Sequence, residues 1–362
     1  MTRHSRNSGA VLIGLLTSGL FVPMTASAQT SKPVYREIGD WLLACDNMRD
    51  CLARHAPEPE REPLAGEDRD AGFDIVRTAG PAGALVVRIR LSKKLAPAAI
   101  SVPGGKPVTM LPWQLGRDGE DASLSGEPAR RFVRNVIDAP VLQLGRTVLS
   151  LKGLAAVLLA MDEVQGRIGN ASALVRPGPR PASATPAAPP LPLVRVGLPA
   201  PALAQPRRLA AAVRRLNAHV LAAHECDIDP DALDEAYPLT RSEALVLIGC
   251  GRFAYQTSVL AFRTPRDDPA RAVPLELPEP RRTVGLASPD LPAMINEFVE
   301  GSYDPATRVF SEFSKGRGMA DCGSSTKWTF DGAAFRLSAF RWQDRCAGGQ
   351  PGDWPVLYRT RR

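Results

Sequence analysis

Arg176-Pro-Gly-Pro-Arg180-Pro-Ala-Ser-Ala-Thr185-Pro-Ala-Ala-Pro-Pro190 divides the chain. It opens a stretch, 176–206, that holds ten prolines and seven alanines. Proline fixes φ and removes an amide donor, so such a stretch favours extended polyproline II over a packed core. The reading is a semi-rigid linker, with spacing a better explanation than a Pro-rich ligand motif. Its more apolar end, Leu191 to Leu198, suits docking onto a neighbouring domain.

Working outward, the chain falls into four parts: a leader at 1–28, a first domain at 29–175, the linker at 176–206 and a second domain at 207–362. The expected fold class is α+β: two disulfide-stapled domains, each β-rich with a few helices. In the first, Leu85 to Leu91 alternates as a strand, Val108 to Leu111 is a weaker strand, and Thr147–Leu151 and Ala171–Val175 are short strands. Helices are expected over Glu127–Ile137 and Gly153–Gln165. The second helix carries Leu154, Val157, Leu158 and Met161 on one face and stops at Gly166. In the second domain, Arg207 to His224 has helical spacing, and Ala244–Ile248 and Arg252–Phe262 read as strands. From about Thr307 to Tyr358 the pattern is a β-meander. Within it, Trp328-Thr-Phe330-Asp331-Gly332-Ala-Ala-Phe335-Arg-Leu337 is a hairpin signal. Asp-Gly is a strong two-residue turn, and pairing Phe330 with Phe335 puts Trp328 opposite Leu337 on the same face.

The leader has Arg3 and Arg6, an apolar run from Ala10 to Val22, and Ala26-Ser27-Ala28, a small-x-small cleavage pattern. That run is shorter than the ~20 residues a spanning helix needs, so cleavage after Ala28 is the better reading than anchoring. The chain is then expected in an oxidising compartment, a bacterial periplasm, with no stable membrane span. Six cysteines follow the leader: Cys45, Cys51, Cys226, Cys250, Cys322 and Cys346. An even count in an exported chain reads as disulfides. Six cysteines allow 15 pairings; the three local couples 45–51, 226–250 and 322–346 are preferred. The hairpin supports the last in part, because its register puts Cys322 opposite Gln343 and needs a bulge or slip to reach Cys346.

Net charge is +7 over 45 basic and 38 acidic residues. Part of the excess lies in the leader, and the linker adds Arg176, Arg180 and Arg195 without an acid. Neither domain shows the clustered basic residues and interleaved aromatics of a nucleic-acid footprint, so nucleic acid is not expected as a partner. Hydrophobic residues make up 44% and aromatics 6%, which is ordinary for a globular chain.

Chemistry-bearing motifs are sparse. After the leader only His55, His219 and His224 remain, and there is no Gly-x-Ser-x-Gly elbow. His219 and His224 are five apart, not the i,i+4 of a helical ligand pair, and no Cys-x-x-Cys or His-Glu-x-x-His occurs. No metal and no cofactor are expected. Lys315-Gly-Arg317-Gly is basic and glycine-rich, so its amides and side chains could hold an anion, but a tight turn before a disulfide-tied strand is the better reading. Asp331 reads first as a turn former. Trp328, Trp342 and Trp354 suit core packing more than a glycan-stacking face. Asp162 and Glu163 lie at a helix C-terminus, where the dipole disfavours acids; a salt bridge from there to Arg167 is expected.

Several motifs together resemble a family. They are Ser150-Leu-Lys-Gly153, Met161-Asp-Glu-Val-Gln165-Gly-Arg167, Lys315-Gly-Arg-Gly-Met-Ala-Asp321-Cys-Gly323, Phe330-Asp-Gly332, Cys346-Ala-Gly348 and Asp353-Trp-Pro355. Nearly the whole chain after the leader resembles the proteobacterial exported proteins of the domain of unknown function 1176 family. The Gly-Asp-Cys-Gly usual there reads Ala320-Asp321-Cys322-Gly323 here. Residues 29–175, with Asp40-Trp41, Cys45 and Cys51, also resemble invasion-associated locus B proteins. Neither resemblance implies a reaction. The expected function is a non-catalytic envelope protein that binds another envelope protein or a polymer, with Lys315, Arg317, Asp321 and Trp328 as candidate binding residues. The rival is a carboxylate-based envelope hydrolase using Asp321 or Asp331. Strongly raised carboxyl pKa values in a deep cleft would favour that rival.

Overall fold

The computed structural model describes residues 1–2, 31–91, 93–94, 96–103, 108, 111–226, 234–286, 288–347 and 349–362. The leader from residue 3 on and its cleavage site lie outside them, as does part of the weaker strand expected at 108–111.

Strands β1 (Val34–Ile38), β2 (Trp41–Cys45), β3 (Cys51–His55), β4 (Gly72–Arg77) and β5 (Leu85–Arg90) form an antiparallel meander. After β6 (Ile100–Ser101), strands β7 (Gln114–Leu115) and β8 (Asp121–Ser125) complete a seven-stranded sheet ordered β1-β2-β3-β4-β5-β8-β7. Alternation sets the buried face: Leu85, Val87 and Ile89 of β5 point into the core while Arg88 is exposed. Helix α1 (Gly126–Val136) covers this face with Ala129, Phe132, Val133 and Val136. Strands β9 (Val141–Leu144) and β10 (Thr147–Ser150) pair beside β6. Helix α2 (Leu154–Val164) buries the expected stripe, Leu154, Val157, Leu158 and Met161, completely.

Two local features differ from what the spacing predicts. Ala171–Val175 is turn and bend, not strand. Its amides are taken by a side chain instead: Leu174 and Val175 donate to Asp162 Oδ2 at 2.8 and 3.0 Å. Asp162 does not pair with Arg167. Its other oxygen meets Arg77 at 2.6 Å, with both side chains buried. Arg167 instead donates to Ser172 Oγ and the Gly80 carbonyl. The acid at the helix end is thus compensated by a cation from β4, which sequence spacing does not reveal.

The second half begins with α3 (Pro206–Leu216) and α4 (Ala218–Ala223). The single helix expected over 207–224 breaks at Asn217, whose side chain donates to the Val213 carbonyl while its own carbonyl accepts from Val220 and Leu221. Strands β11 (Glu235–Pro238), β12 (Glu243–Arg252), β13 (Thr257–Pro265) and β14 (Val273–Pro274) follow in one sheet. Its faces are both covered. Val246, Ile248, Leu260 and Phe262 pack under α3, and Leu245, Leu247, Val259 and Ala261 pack on a second sheet. Between them run β15 (Leu277–Pro278), α5 (Pro280–Val284), β16 (Met294–Ile295) and β17 (Glu297–Val299), the last pairing with β13.

The second sheet is the expected meander: β18 (Ser302–Asp304), β19 (Val309–Lys315), β20 (Gly323–Phe330), β21 (Phe335–Gln343) and β22 (Val356–Arg359), in that order. Phe330 faces Phe335 and Trp328 faces Leu337, as the hairpin register predicts. A bulge beside Trp328 then shifts the pairing by one, so that Gly323 rather than Cys322 faces Gln343. This brings Cys322 closer to Cys346. The three disulfides are Cys45–Cys51, Cys226–Cys250 and Cys322–Cys346, the three local couples expected.

The chain is β-rich, with five α-helices among the described residues. The Pro/Ala stretch 176–206 lies against both halves. Thr185 is buried and accepts from Asn170. Further along, Val194 and Arg361 exchange backbone bonds with Arg361 and Pro192, and Gly197 donates to Phe330. A fourth apolar cluster joins the halves directly: Leu42, Ala44 and Ala56 from one with Phe340, Ala347 and Leu357 from the other.

Candidate functional site

The meander's inner face changes character along its length. Side chains on a strand alternate, so Phe310, Glu312 and Ser314 of β19 share a face. Register then fixes two cross-strand rows on that face. One is Glu312, Thr326 and Phe340; the other is Ser314, Ser324 and Trp342. At one end the face is apolar core, with Phe310 and Trp328 packed on Phe298. At the other it is polar and opens into a cleft of about 320 Å³. The opposite wall comes from the excursion between β14 and β17: Glu279 and Arg281 at the start of α5, then Pro292, Ile295 and Glu297.

Gly323 closes the floor at one end, next to Gly316 across the strand pair. Its φ is +141°, and a Cβ there would lie 2.1 Å from the Ser314 carbonyl oxygen, so no side chain fits without moving β19.

Two polar groups at the floor are poorly served. Thr326 is 1% exposed. Its Oγ1 has no hydrogen-bond partner among the described residues, a state that costs free energy unless something supplies one. Across from it, Glu312 makes no ion pair among the described residues and accepts one long bond, 3.4 Å, from the Val299 amide. Burial, reinforced by the nearby Glu279 charge, pushes its carboxyl up to about 7, against the Val299 amide and Arg281.

The other carboxylates of the cleft are engaged. Glu279 meets Arg281 Nε at 2.8 Å and caps α5 through the Arg282 amide at 2.9 Å. Glu297 accepts from Ser258 Oγ at 2.5 Å and lies 3.9 Å from His224 Nδ1. Trp342 is held between neighbours: Tyr35 of β1 lies 4.4 Å from it centroid to centroid, and the Arg281 guanidinium sits 5.6 Å over its ring.

The candidate binding residues Lys315, Arg317, Asp321 and Trp328 lie beside this cleft rather than in it, whereas Trp342, expected in the core, lines it. Lys315 donates to the Tyr255 carbonyl at 2.8 Å and sits over the Tyr255 ring. Arg317 pairs with the buried Asp321, and the intervening Gly316 lines the cleft mouth. Trp328 is 1% exposed in the core. Asp331 shapes its turn by accepting from the Ala333 and Ala334 amides and from Arg336. Burial works to raise its pKa, yet these donors hold it at about 2. Among the described residues, the sole group of three metal-type ligands close enough to share an ion is Asp321, Cys322 and Cys346, and both cysteines are spent in a disulfide.

Comparison with known proteins gives a family and no chemistry. The model of the family described as "Protein of unknown function (DUF1176)" matches residues 35–361. A protein of Escherichia coli (strain K12) described as "Uncharacterized protein YpfG" is 29% identical, over 94% of this chain and 97% of its own length. No solved structure matches. The matched family spans both halves, so the separate likeness of residues 29–175 to invasion-associated locus B proteins is not what carries the assignment.

Proposed function

The chain belongs to the DUF1176 family, proteins of unknown function, and from that premise we propose that it is an exported, periplasmic binding protein whose ligand occupies the cleft of the C-terminal meander. The export part rests on the leader with its cleavage pattern after Ala28. Three disulfides support it, as does the lack of any helix, among the described residues, long and apolar enough to cross a membrane. We read residues 29–175 and 207–362 as two domains tied together by the Pro/Ala strap.

The observation that carries the binding reading is the unpartnered, buried Thr326 hydroxyl facing Glu312 at the cleft floor. Folding leaves the Thr326 hydroxyl without a partner among the described residues and Glu312 with one long bond, and a bound ligand would serve both. At about 320 Å³ the cleft lies at the small end of ligand pockets, which suits a small molecule or one unit of a polymer. Lys315 and Arg317, at the rim, would touch a partner that extends beyond the cleft.

Thermal denaturation of the oxidised protein, against small polar fragments of the envelope, tests this. A ligand at a hundred times its Kd adds about 2.7 kcal/mol, a rise of a few degrees. That rise should vanish in Thr326→Val and shrink in Trp342→Ala. If no fragment gives a Thr326-dependent rise, the cleft is not the site.

A specific feature favours the hydrolase as second reading. A carboxyl near 7 is suited to general acid work at neutral pH. It is Glu312, not Asp321 or Asp331, that would supply the acid. Turnover of cell-wall fragments that disappears in Glu312→Gln while binding persists would establish it, and inert fragments between pH 5 and 8 would remove it.

A further inference from the structure

We propose that the cleft takes a small organic cation, which sets an ammonium against Glu312 and a hydroxyl or carbonyl oxygen against Thr326. This rests on the reading of the cleft as a binding site and specifies its ligand class.

The charge arrangement is the first argument. Three carboxylates, Glu279, Glu297 and Glu312, line the cleft with one cation, Arg281. Arg281 is committed to Glu279 and to the face of Trp342. Glu297 takes a hydroxyl donor from Ser258. Glu312 is left without a cation, so the wall has one charge-assisted acceptor to spare. The Thr326 hydroxyl is the second, independent argument. It is buried, lines the same cleft and faces Glu312 across the strand pair. A ligand bearing both a cationic and a polar group satisfies the two together.

Other ligand classes fit less well. The carboxylates do not converge as a metal's ligands must, since no group of three among them lies close enough to share an ion. An anion would meet the carboxylate excess. A sugar ring needs an open aromatic face, whereas Trp342 is engaged by Tyr35 and Arg281. Ser314, Gly316 and Ser324 contribute small groups beside the apolar Pro292, Ile295 and Phe340, which suits a chain of a few carbons between two polar ends.

Cation binding requires Glu312 as carboxylate, so below neutrality its proton must leave to solvent as the ammonium enters. Glu279, which caps α5, Arg281 of α5, Glu297 of β17 and, behind Glu297, His224 are the other charged or titratable groups facing it. Affinity should therefore rise close to tenfold per pH unit up to about 7 and level off above.

Calorimetry on the full oxidised protein tests this with two amines that carry an oxygen at the far end, 5-aminopentan-1-ol and 6-aminohexanamide. The neutral counterparts are 1,5-pentanediol and hexanamide. Runs at pH 5.5, 7 and 8.5, in buffers of different ionisation heat, count protons released. We expect at least one amine to bind, with proton release below pH 7. Affinity should fall at least tenfold in Glu312→Gln, and the neutral probes should fail. His224→Gln should leave the pH dependence in place. No amine binding, or binding indifferent to Glu312→Gln, overturns the proposal. A neutral probe that binds in a Thr326-dependent way overturns the cation and spares the cleft; no probe sensitive to either substitution overturns both.

Discussion

Glu312 and His55 titrate in opposite directions, and their effects on stability have opposite signs. The Glu312 carboxyl, raised from 4.5 to about 7 by burial, keeps in the native state a proton that the unfolded chain releases. Stability contributed by this group is therefore lost as pH rises from about 4.5 to 7, by roughly 3 kcal/mol in all. Glu312→Gln removes the loss. Urea denaturation should show the variant more stable by roughly 3 kcal/mol at pH 8 and unchanged at pH 4.5; equal stabilities at pH 8 would refute the assignment. His55 is 1% exposed, edges against Trp41, and has neither ring nitrogen bonded among the described residues. Burial lowers its pKa to about 4, despite the nearby Asp40 and Glu67. The unfolded chain takes up a proton near 6.5 that the native one refuses, so stability falls as pH drops from 6.5 to 4, again by roughly 3 kcal/mol. His55→Phe should flatten that acid limb, while Glu312→Gln should expose it by removing the opposing slope. No motif marks Glu312, and His55 enters the sequence reading only as one of three histidines after the leader, though a signal for Glu312 is present. The hairpin register, legible from Asp331-Gly332, puts Trp328 inward. Counting back in twos reaches Thr326 and Ser324, polar residues on a core-facing row. Two inward polar residues beside the inward Glu312 mark a site; the search for histidines and glycine loops passed over them.

Strand periodicity and turn chemistry made the meander readable, and the cysteine couples followed from nearness in sequence. What escaped were features set by partners away from the local pattern, the Arg77 that meets Asp162 and the Asp162 carboxylate that takes the Leu174 and Val175 amides in place of a ladder, together with one local break, at Asn217, whose side chain and carbonyl bond within four residues. The Cys322–Cys346 couple closes a separation of 24 residues, worth on the order of 3 kcal/mol in the chain-entropy model. Its local role is larger. Gly316 donates to the Cys322 carbonyl at 2.9 Å, and a Cβ on Gly316 would lie 2.6 Å from Cys322 Sγ, so the bridge packs directly under the cleft mouth. Replacing both cysteines with serine should cost roughly 3 kcal/mol and weaken any cleft ligand as well. The corresponding change at Cys226 and Cys250, which lie under α4, should cost a similar amount and leave ligand affinity alone. Equal affinity losses in the two pairs would show that the effect is global loosening rather than the cleft rim.

At the scale of the whole molecule, the halves are held by a junction that one strand announces. Trp41-Leu-Leu-Ala-Cys45 has no polar face, and all five residues are buried. A strand apolar on both faces is covered on both: Trp41, Leu43 and Cys45 join the first core, and Leu42 and Ala44 join the shared cluster. Arginines ring this contact. Arg345 donates to the Gly39 and Ala56 carbonyls at 2.9 and 2.6 Å and pairs with Glu37. Arg359 pairs with Asp46 and Asp50, and Arg54 bridges Asp74 to Asp353. Because the junction is apolar and its carbonyls are served by Arg345, the two halves should unfold together, in one urea transition by fluorescence and far-ultraviolet dichroism alike. Arg345→Ala leaves the part-buried carbonyls of Gly39 and Ala56 without their donor and loses an exposed pair with Glu37, at a cost of about 2 kcal/mol. Together with Arg359→Ala it should split the unfolding into two transitions. It should also reach the cleft, since Tyr35 of the first half braces Trp342: ligand affinity should drop in the double variant although no cleft residue is changed. A single unshifted transition in that variant would mean the apolar cluster alone joins the halves, with the arginines adding only surface charge. An intact junction with lost affinity would instead place the coupling in the Tyr35–Trp342 contact, which Tyr35→Leu would then reproduce by itself.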